Sequence, residues 1–237
     1  MGGFFMFFEP MYLVFAIPGL LLAGYASFMT KSTFKKYSNT MASSQLTGAQ
    51  AARQMLNSQG LQDVQIERVE GFLSDHYDPR HRVLRLSPPV HDSPSLSAVG
   101  VACHEAGHAL QHAQGYVPLK LRSALVPAAS FGSKFAYWIL FLGITLQGLG
   151  QVGGIGASIV NLGLILFTAA VVFSVVTLPV EWDASARAKV QLVSAGIVTP
   201  AEQVDAGRVL NAAFLTYLAA AVSSILTLIY FLIRSRR

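Results

Sequence analysis

Three stretches of the chain contain no charged residue: 11–29 (MYLVFAIPGLLLAGYASFM), 135–180 and 209–233. A helix of about 20 apolar residues crosses the hydrocarbon core of a bilayer, so the first and last runs each match one span. The middle run is too long for a single span and is interrupted by GLGQVGGIG at 148–156, whose glycines suit a tight turn. It reads as a hairpin of two helices, which makes four spans. An apolar share of 53% with only 12% charge excludes an ordinary soluble domain. Three separate runs of this length also argue against a very hydrophobic soluble bundle. The first run reads as an uncleaved span, because MGGFFMFFEP lacks the basic flank of a signal peptide and no A-x-A-like site follows.

The net charge of +5 does not point to nucleic acid, because the basic residues cluster beside the spans. Lys31, Lys35 and Lys36 follow span one; Lys120, Arg122 and Lys134 precede span two. Arg187 and Lys189 follow span three, and Arg208 precedes span four. With four spans all nine fall on one side, against Arg234, Arg236 and Arg237 on the other. The positive-inside rule then puts the segment 30–123 in the cytoplasm. The single cysteine, Cys103, allows no intramolecular disulfide and agrees with a reducing compartment.

Roughly ninety polar residues separate spans one and two. LTGAQAARQMLNSQG (46–60) predicts a helix capped by Thr47 and stopped by Gly60. VQIERV (64–69) and RVLRLS (82–87) alternate as half-buried strands do, with the turn-rich SDHYDPRH between them, so a small hairpin or sheet is expected. A second helix follows, with Ser93 as N-cap, Pro94 at its first position and Gly115 as terminator.

That helix carries ACHEAGHALQHAQG (102–115). Residues four apart on a helix lie about 5–6 Å from one another on one face, so His104 and His108 can converge on one ion. Glu105 lies one step round and can accept a proton from a water bound to that ion. H-E-x-x-H is thus two metal ligands and a general base, and zinc suits it because it lowers the pKa of bound water to about 7. Shuffling six histidines and six glutamates yields the pattern only about 0.004 times per chain, so coincidence is a weak rival. Gly107 leaves room for backbone or substrate to come close.

Catalytic zinc needs a third protein ligand. His112 is excluded, since two further helical turns put it about 12 Å from His104, and the longer form with a third histidine is absent because Gln111 and Gln114 stand in its place. Four carboxylates remain downstream: Glu181, Asp183, Glu202 and Asp205. Glu181 directly follows span three, on the same side as the HEAGH helix, and is the strongest of them.

SDHYDPRHRVLRLSPPV, HEAGHALQH and PVEWDASARA together resemble the bacterial YugP-type membrane zinc metallopeptidases, which are similar in outline to the HtpX-like and CAAX prenyl-protease zinc peptidases. The resemblance covers most of the chain. It implies ligands at His104, His108 and Glu181, with Glu105 as base. In the HtpX-like pattern an aspartate four residues after the ligand glutamate supports a ligand histidine. Here that position is Ser185, so either Asp183 or Ser185 takes the role.

The expected architecture is a mainly α membrane protein, with four transmembrane helices and a small α+β zincin-like metallopeptidase domain built on the HExxH helix. Its expected segments are a first span in 1–29, the peptidase domain in 30–123 and a transmembrane hairpin in 124–180. A third-ligand segment (181–208), a last span (209–233) and a basic tail (234–237) follow. The expected activity is that of a gluzincin-like zinc endopeptidase holding one Zn2+ per chain. It would act on protein or peptide substrates at the bilayer, membrane proteins among them, and would not bind nucleic acid. His76, Asp78, Tyr77 and Arg187 are candidates to approach the site or stabilise an oxyanion. His112 is expected near the site or at the surface, and His81 and His91 at the surface. Cys103 is expected to be packed, and Asn161 to hydrogen-bond between helices. Two rivals remain. A non-catalytic zinc-stabilised scaffold or adaptor would have no need of Glu105, and a transporter would need ionisable groups inside spans that carry none.

Overall fold

The computed structural model describes residues 9–71, 74–148 and 154–235. Helix α1 (Pro10–Tyr37) is followed by α2 (Gly48–Ser58), strands β1 (Gln65–Arg68), β2 (His76–Asp78) and β3 (Val83–Leu86), and the short α3 (Pro88–His91). Then come α4 (Leu96–Ala113), α5 (Val117–Gly148), α6 (Ile155–Ser194) and α7 (Pro200–Ser235). Four of these, α1, α5, α6 and α7, are long and apolar enough to cross a membrane. Within the expected hairpin turn, residues 149–153 lie outside the described residues, as do Arg236 and Arg237 of the basic tail.

The chain divides into two units, Met1–Tyr25 with Leu121–Leu178 and Tyr217–Arg237, and Ala26–Lys120 with Pro179–Thr216. In the first, Leu140, Phe167, Tyr230 and Phe231 pack an apolar core, and Tyr230 Oη donates to Glu9 Oε2 at 3.0 Å. Asn161 is exposed there rather than turned toward a neighbouring helix.

In the second unit the core joins Met55 and Leu56 of α2, Leu84 and Leu86 of β3, Val99, Cys103 and Leu110 of α4, and Leu192 of α6. The sheet order is β1-β3-β2, with β1 parallel and β2 antiparallel to β3. The two expected strands are therefore not a hairpin with each other. The turn-rich connection supplies a third strand, and the hairpin is β2–β3, closed by Arg80 and His81 N–H groups donating to Asp78 Oδ1. Burial explains the order: three of the four residues of VLRL are buried, so β3 takes the centre, while the more exposed QIER and HYD form the edges.

Helix α4 begins two residues later than its sequence suggests. Ser93–Ser95 stays extended, with the Pro94 and Ser93 carbonyls accepting from Ala42 N and Gly48 N. Ser95 then caps the helix through Ala98 N. Its end is as expected, with Gly115 at φ 67°. The helix of span three does not end with its apolar run at residue 180. Helix α6 runs on to Ser194 through EWDASARAKVQLVS, which is rich in strong helix formers and carries an Asp183–Arg187 pair four residues apart. Helix α7 opens on a capping box between Thr199 and Glu202, with Pro200 at its first position.

Candidate metal centre

Helices α4 and α6 meet along a face of each. On α4 the face is His104, Gly107, His108 and Gln111; on α6 it is Glu181, Ala184, Ser185 and Ala188, all at three- or four-residue spacing. Gly107 sets the approach. A Cβ there would stand 2.6 Å from the Ala184 carbonyl oxygen, so only glycine lets the two backbones close to this distance.

The approach brings three donor groups together. His104 Nε2 lies 3.2 Å and His108 Nε2 3.6 Å from the same oxygen, Glu181 Oε2. The imidazole planes cross at 83° with centroids 4.9 Å apart. One ligand atom from each residue falls within 4.8 Å of the others, a set that could hold a metal ion. Glu181 is 1% exposed and His108 7%. A carboxylate this deep needs compensating positive charge or hydrogen bonds.

The remaining imidazole nitrogens are held from behind. Ser185 Oγ lies 3.0 Å from His104 Nδ1, and Gln111 Oε1 lies 2.9 Å from His108 Nδ1. The Gln111 amide is oriented by its own bonds, since Nε2 donates to Val180 O and Asp183 Oδ2, each at 2.8 Å. Oε1 can only accept, so His108 carries its proton on Nδ1. Neutral His108 then turns an Nε2 lone pair toward a carboxylate oxygen. Acceptor against acceptor is unfavourable, and a proton or a cation between them relieves it. The donor set therefore fits a metal ion. Burial disfavours a charged His108, but Glu181 and Glu105 outweigh burial and move its pKa above the ordinary value.

Glu105 is not turned toward these bonds. Its Oε2 accepts from the Tyr77 backbone N–H at 3.1 Å, which ties the carboxylate to edge strand β2. Burial, opposed by His104 and His108, leaves its pKa raised. Tyr77 also hydrogen-bonds His112 Nδ1 through its hydroxyl at 2.9 Å, so His112 buttresses β2 one turn beyond the cluster.

Both candidates for the supporting role have a place. Ser185 touches His104 directly, and Asp183 reaches His108 through Gln111. Arg187 bonds Asp183 and Gln114, which anchors that chain from the surface. His76 goes elsewhere: it is exposed, with Nδ1 2.8 Å from Ser74 O, because alternation along β2 gives the inner position to Tyr77. Asp78 likewise pairs with Arg85 and His81. His91 pairs with Asp92, and Cys103 is buried. In the sequence Gln111 figures only as the residue standing where the longer three-histidine motif has its glycine, so its support of His108 is missed there. Its signal is the spacing, three residues after His108 on the same face.

Residues 12–236 match the family described as "Putative neutral zinc metallopeptidase". The chain is 47% identical over 221 residues to the "Putative membrane protease YugP" of Bacillus subtilis (strain 168), covering 93% of this chain and 95% of that protein. No solved structure matches.

Proposed function

Since the chain belongs to the neutral zinc metallopeptidase family, we propose that it is a membrane zinc endopeptidase that binds one Zn2+ through His104, His108 and Glu181 and uses Glu105 as general base. The carrying observation is the double support of the imidazoles, which turns both Nε2 atoms toward one Glu181 oxygen. Zinc held there supplies Lewis acidity, polarising a peptide carbonyl and acidifying water. The chain's own residues do the rest. Glu105 takes the proton of the attacking water and delivers it to the leaving amine nitrogen. The Tyr77 amide keeps the carboxylate in place for both transfers. The Asp183–Gln111 pair fixes the tautomer of His108 and Ser185 holds the ring of His104 in place, so the ligand nitrogens need no rearrangement. The peptidase unit in this reading combines residues 30–123 with the 181–208 segment.

The test is Glu105→Gln in the purified full-length protein with labelled casein as substrate. The variant keeps its zinc and loses cleavage, as does the wild type after chelation; cleavage at the wild-type rate by Glu105→Gln refutes the mechanism. The distribution of basic residues supports a cytoplasmic location for this unit. A cysteine introduced at Ser74 in a Cys103→Ala background should resist an impermeant probe in intact cells, while one at Gly153 reacts. The opposite pattern inverts the orientation.

A further inference from the structure

Away from the candidate metal centre, a groove of about 530 Å³ opens between the last turns of α1 and the third to fifth turns of α7. Lys36, Arg208, Ser32, Thr33, Met29 and Leu215 are among its lining residues. Because Arg208 bonds Tyr37 while Thr30 bonds the Ala212 carbonyl, the two helices run antiparallel, with Lys36 and Arg208 toward one end and Met29 and Leu215 toward the other. We infer that this groove is a binding site for an anionic phospholipid, with the phosphodiester at the Lys36–Arg208 end and the chains leaving past Met29 and Leu215.

The chemistry of the polar end fits a phosphate. Arg208 uses one guanidinium nitrogen, Nη1, for its bonds to Tyr37 Oη and Asp205 Oδ1. These bonds pin the group, and a guanidinium has five N–H donors in all. Lys36 Nζ sits 5.1 Å from the centroid of the Tyr37 ring, a contact that holds the ammonium beside it. Tyr37 is itself buried and donates to Asp205 at 2.9 Å, so one buttress supports both cations. Lys189 adds a third positive charge behind the wall, through Asn211 Oδ1 at 2.8 Å.

Two further observations choose lipid over free phosphate and anionic over zwitterionic headgroups. In sequence the groove straddles the ends of two charge-free runs. Met29 closes the run 11–29 and Leu215 lies inside 209–233, whereas Lys36 and Arg208 stand just outside them. A phospholipid has that same order of charge and hydrocarbon. No carboxylate occurs anywhere in residues 26–62, and Asp205 is committed to Tyr37 and Arg208, so a headgroup cation would find no partner on α1.

Native mass spectrometry of the full chain in detergent tests this, with titrations of phosphatidylglycerol, phosphatidylcholine and soluble glycerol 3-phosphate. Phosphatidylglycerol should be retained over both others. Lys36→Ala should weaken its binding about fivefold, and adding Arg208→Ala should weaken it further. Lys120→Ala with Lys134→Ala, which removes the same charge elsewhere, should leave it unchanged. Because Arg208→Ala also removes bonds to Tyr37 and Asp205, Lys36→Glu, at an exposed position, is the decisive variant, with its melting temperature measured alongside. The inference is overturned if Lys36→Glu binds phosphatidylglycerol as the wild type does, if phosphatidylcholine binds equally, or if glycerol 3-phosphate binds as tightly as the lipid.

Discussion

Gln111 donates to Asp183 Oδ2 at 2.8 Å while accepting from His108 Nδ1 at 2.9 Å, so an aspartate on one helix orients a histidine on another through a single amide. Groups that set the tautomer of a ligand histidine tune its metal affinity, commonly by 10–100-fold. Gln111→Leu should therefore lower zinc affinity by about that factor, measured by competition with a chelating dye. Asp183→Asn, which leaves the Val180 carbonyl to orient Gln111, should have the smaller effect. Wild-type affinity in Gln111→Leu would show that His108 needs no such support.

Glu181→Ala should lose both zinc and activity, because two imidazoles alone bind the ion weakly and leave its charge uncompensated. Glu202→Ala and Asp205→Ala should keep the metal. Glu202 accepts from Ser43 and Thr199, and Asp205 from Tyr37 and Arg208, so their loss should appear in the melting temperature instead. Zinc content by elemental analysis separates the outcomes, and a zinc-loaded, active Glu181→Ala would shift the third ligand to Asp183.

Gly107→Ala puts a methyl group 2.6 Å from the Ala184 backbone oxygen, which cannot swing aside as a side chain does. The helices must separate, at about 1–3 kcal/mol by analogy with overpacked cores. Glu181 and Ser185 lie three residues before and one after Ala184, so zinc affinity should fall together with thermal stability. Ala106→Gly, on a neighbouring position of the same helix, controls for a general loss of stability. Reduced stability with unchanged zinc affinity in Gly107→Ala would mean that the approach of the helices does not position the ligands.

The metal-free protein should lose stability as pH rises through the near-neutral range. Glu105 is raised above its ordinary 4.5 and His108 above 6.5, so each binds its proton more tightly folded than unfolded. That contribution is complete below the ordinary value and disappears as pH passes the folded one. Zinc competes with these protons. Melting curves should show a larger zinc-induced rise at pH 8 than at pH 5.5, and Glu105→Gln should reduce the pH dependence of the chelated form. A zinc effect equal at both pH values would contradict the coupling.

Much of this protein can be read along the chain because the decisive patterns are local. Charge-free runs of span length, Thr47 and Gly115 at helix ends, and two histidines one helical turn apart depend only on neighbours in sequence. The pairing of β3 between β1 and β2 depends instead on which strand the core buries, and Val83, Leu84 and Leu86 win that place over a connection that reads as turn. The candidate metal centre divides in the same way. His104, Glu105 and His108 are legible on one helix, and Glu181 by the shortage of other carboxylates. Which polar group stands behind which imidazole was decided only when Gly107 met the Ala184 carbonyl. That contact sets the separation and rotation of two helices more than seventy residues apart, and hydrogen bonds of about 3 Å are too short to be specified by spacing on either helix alone.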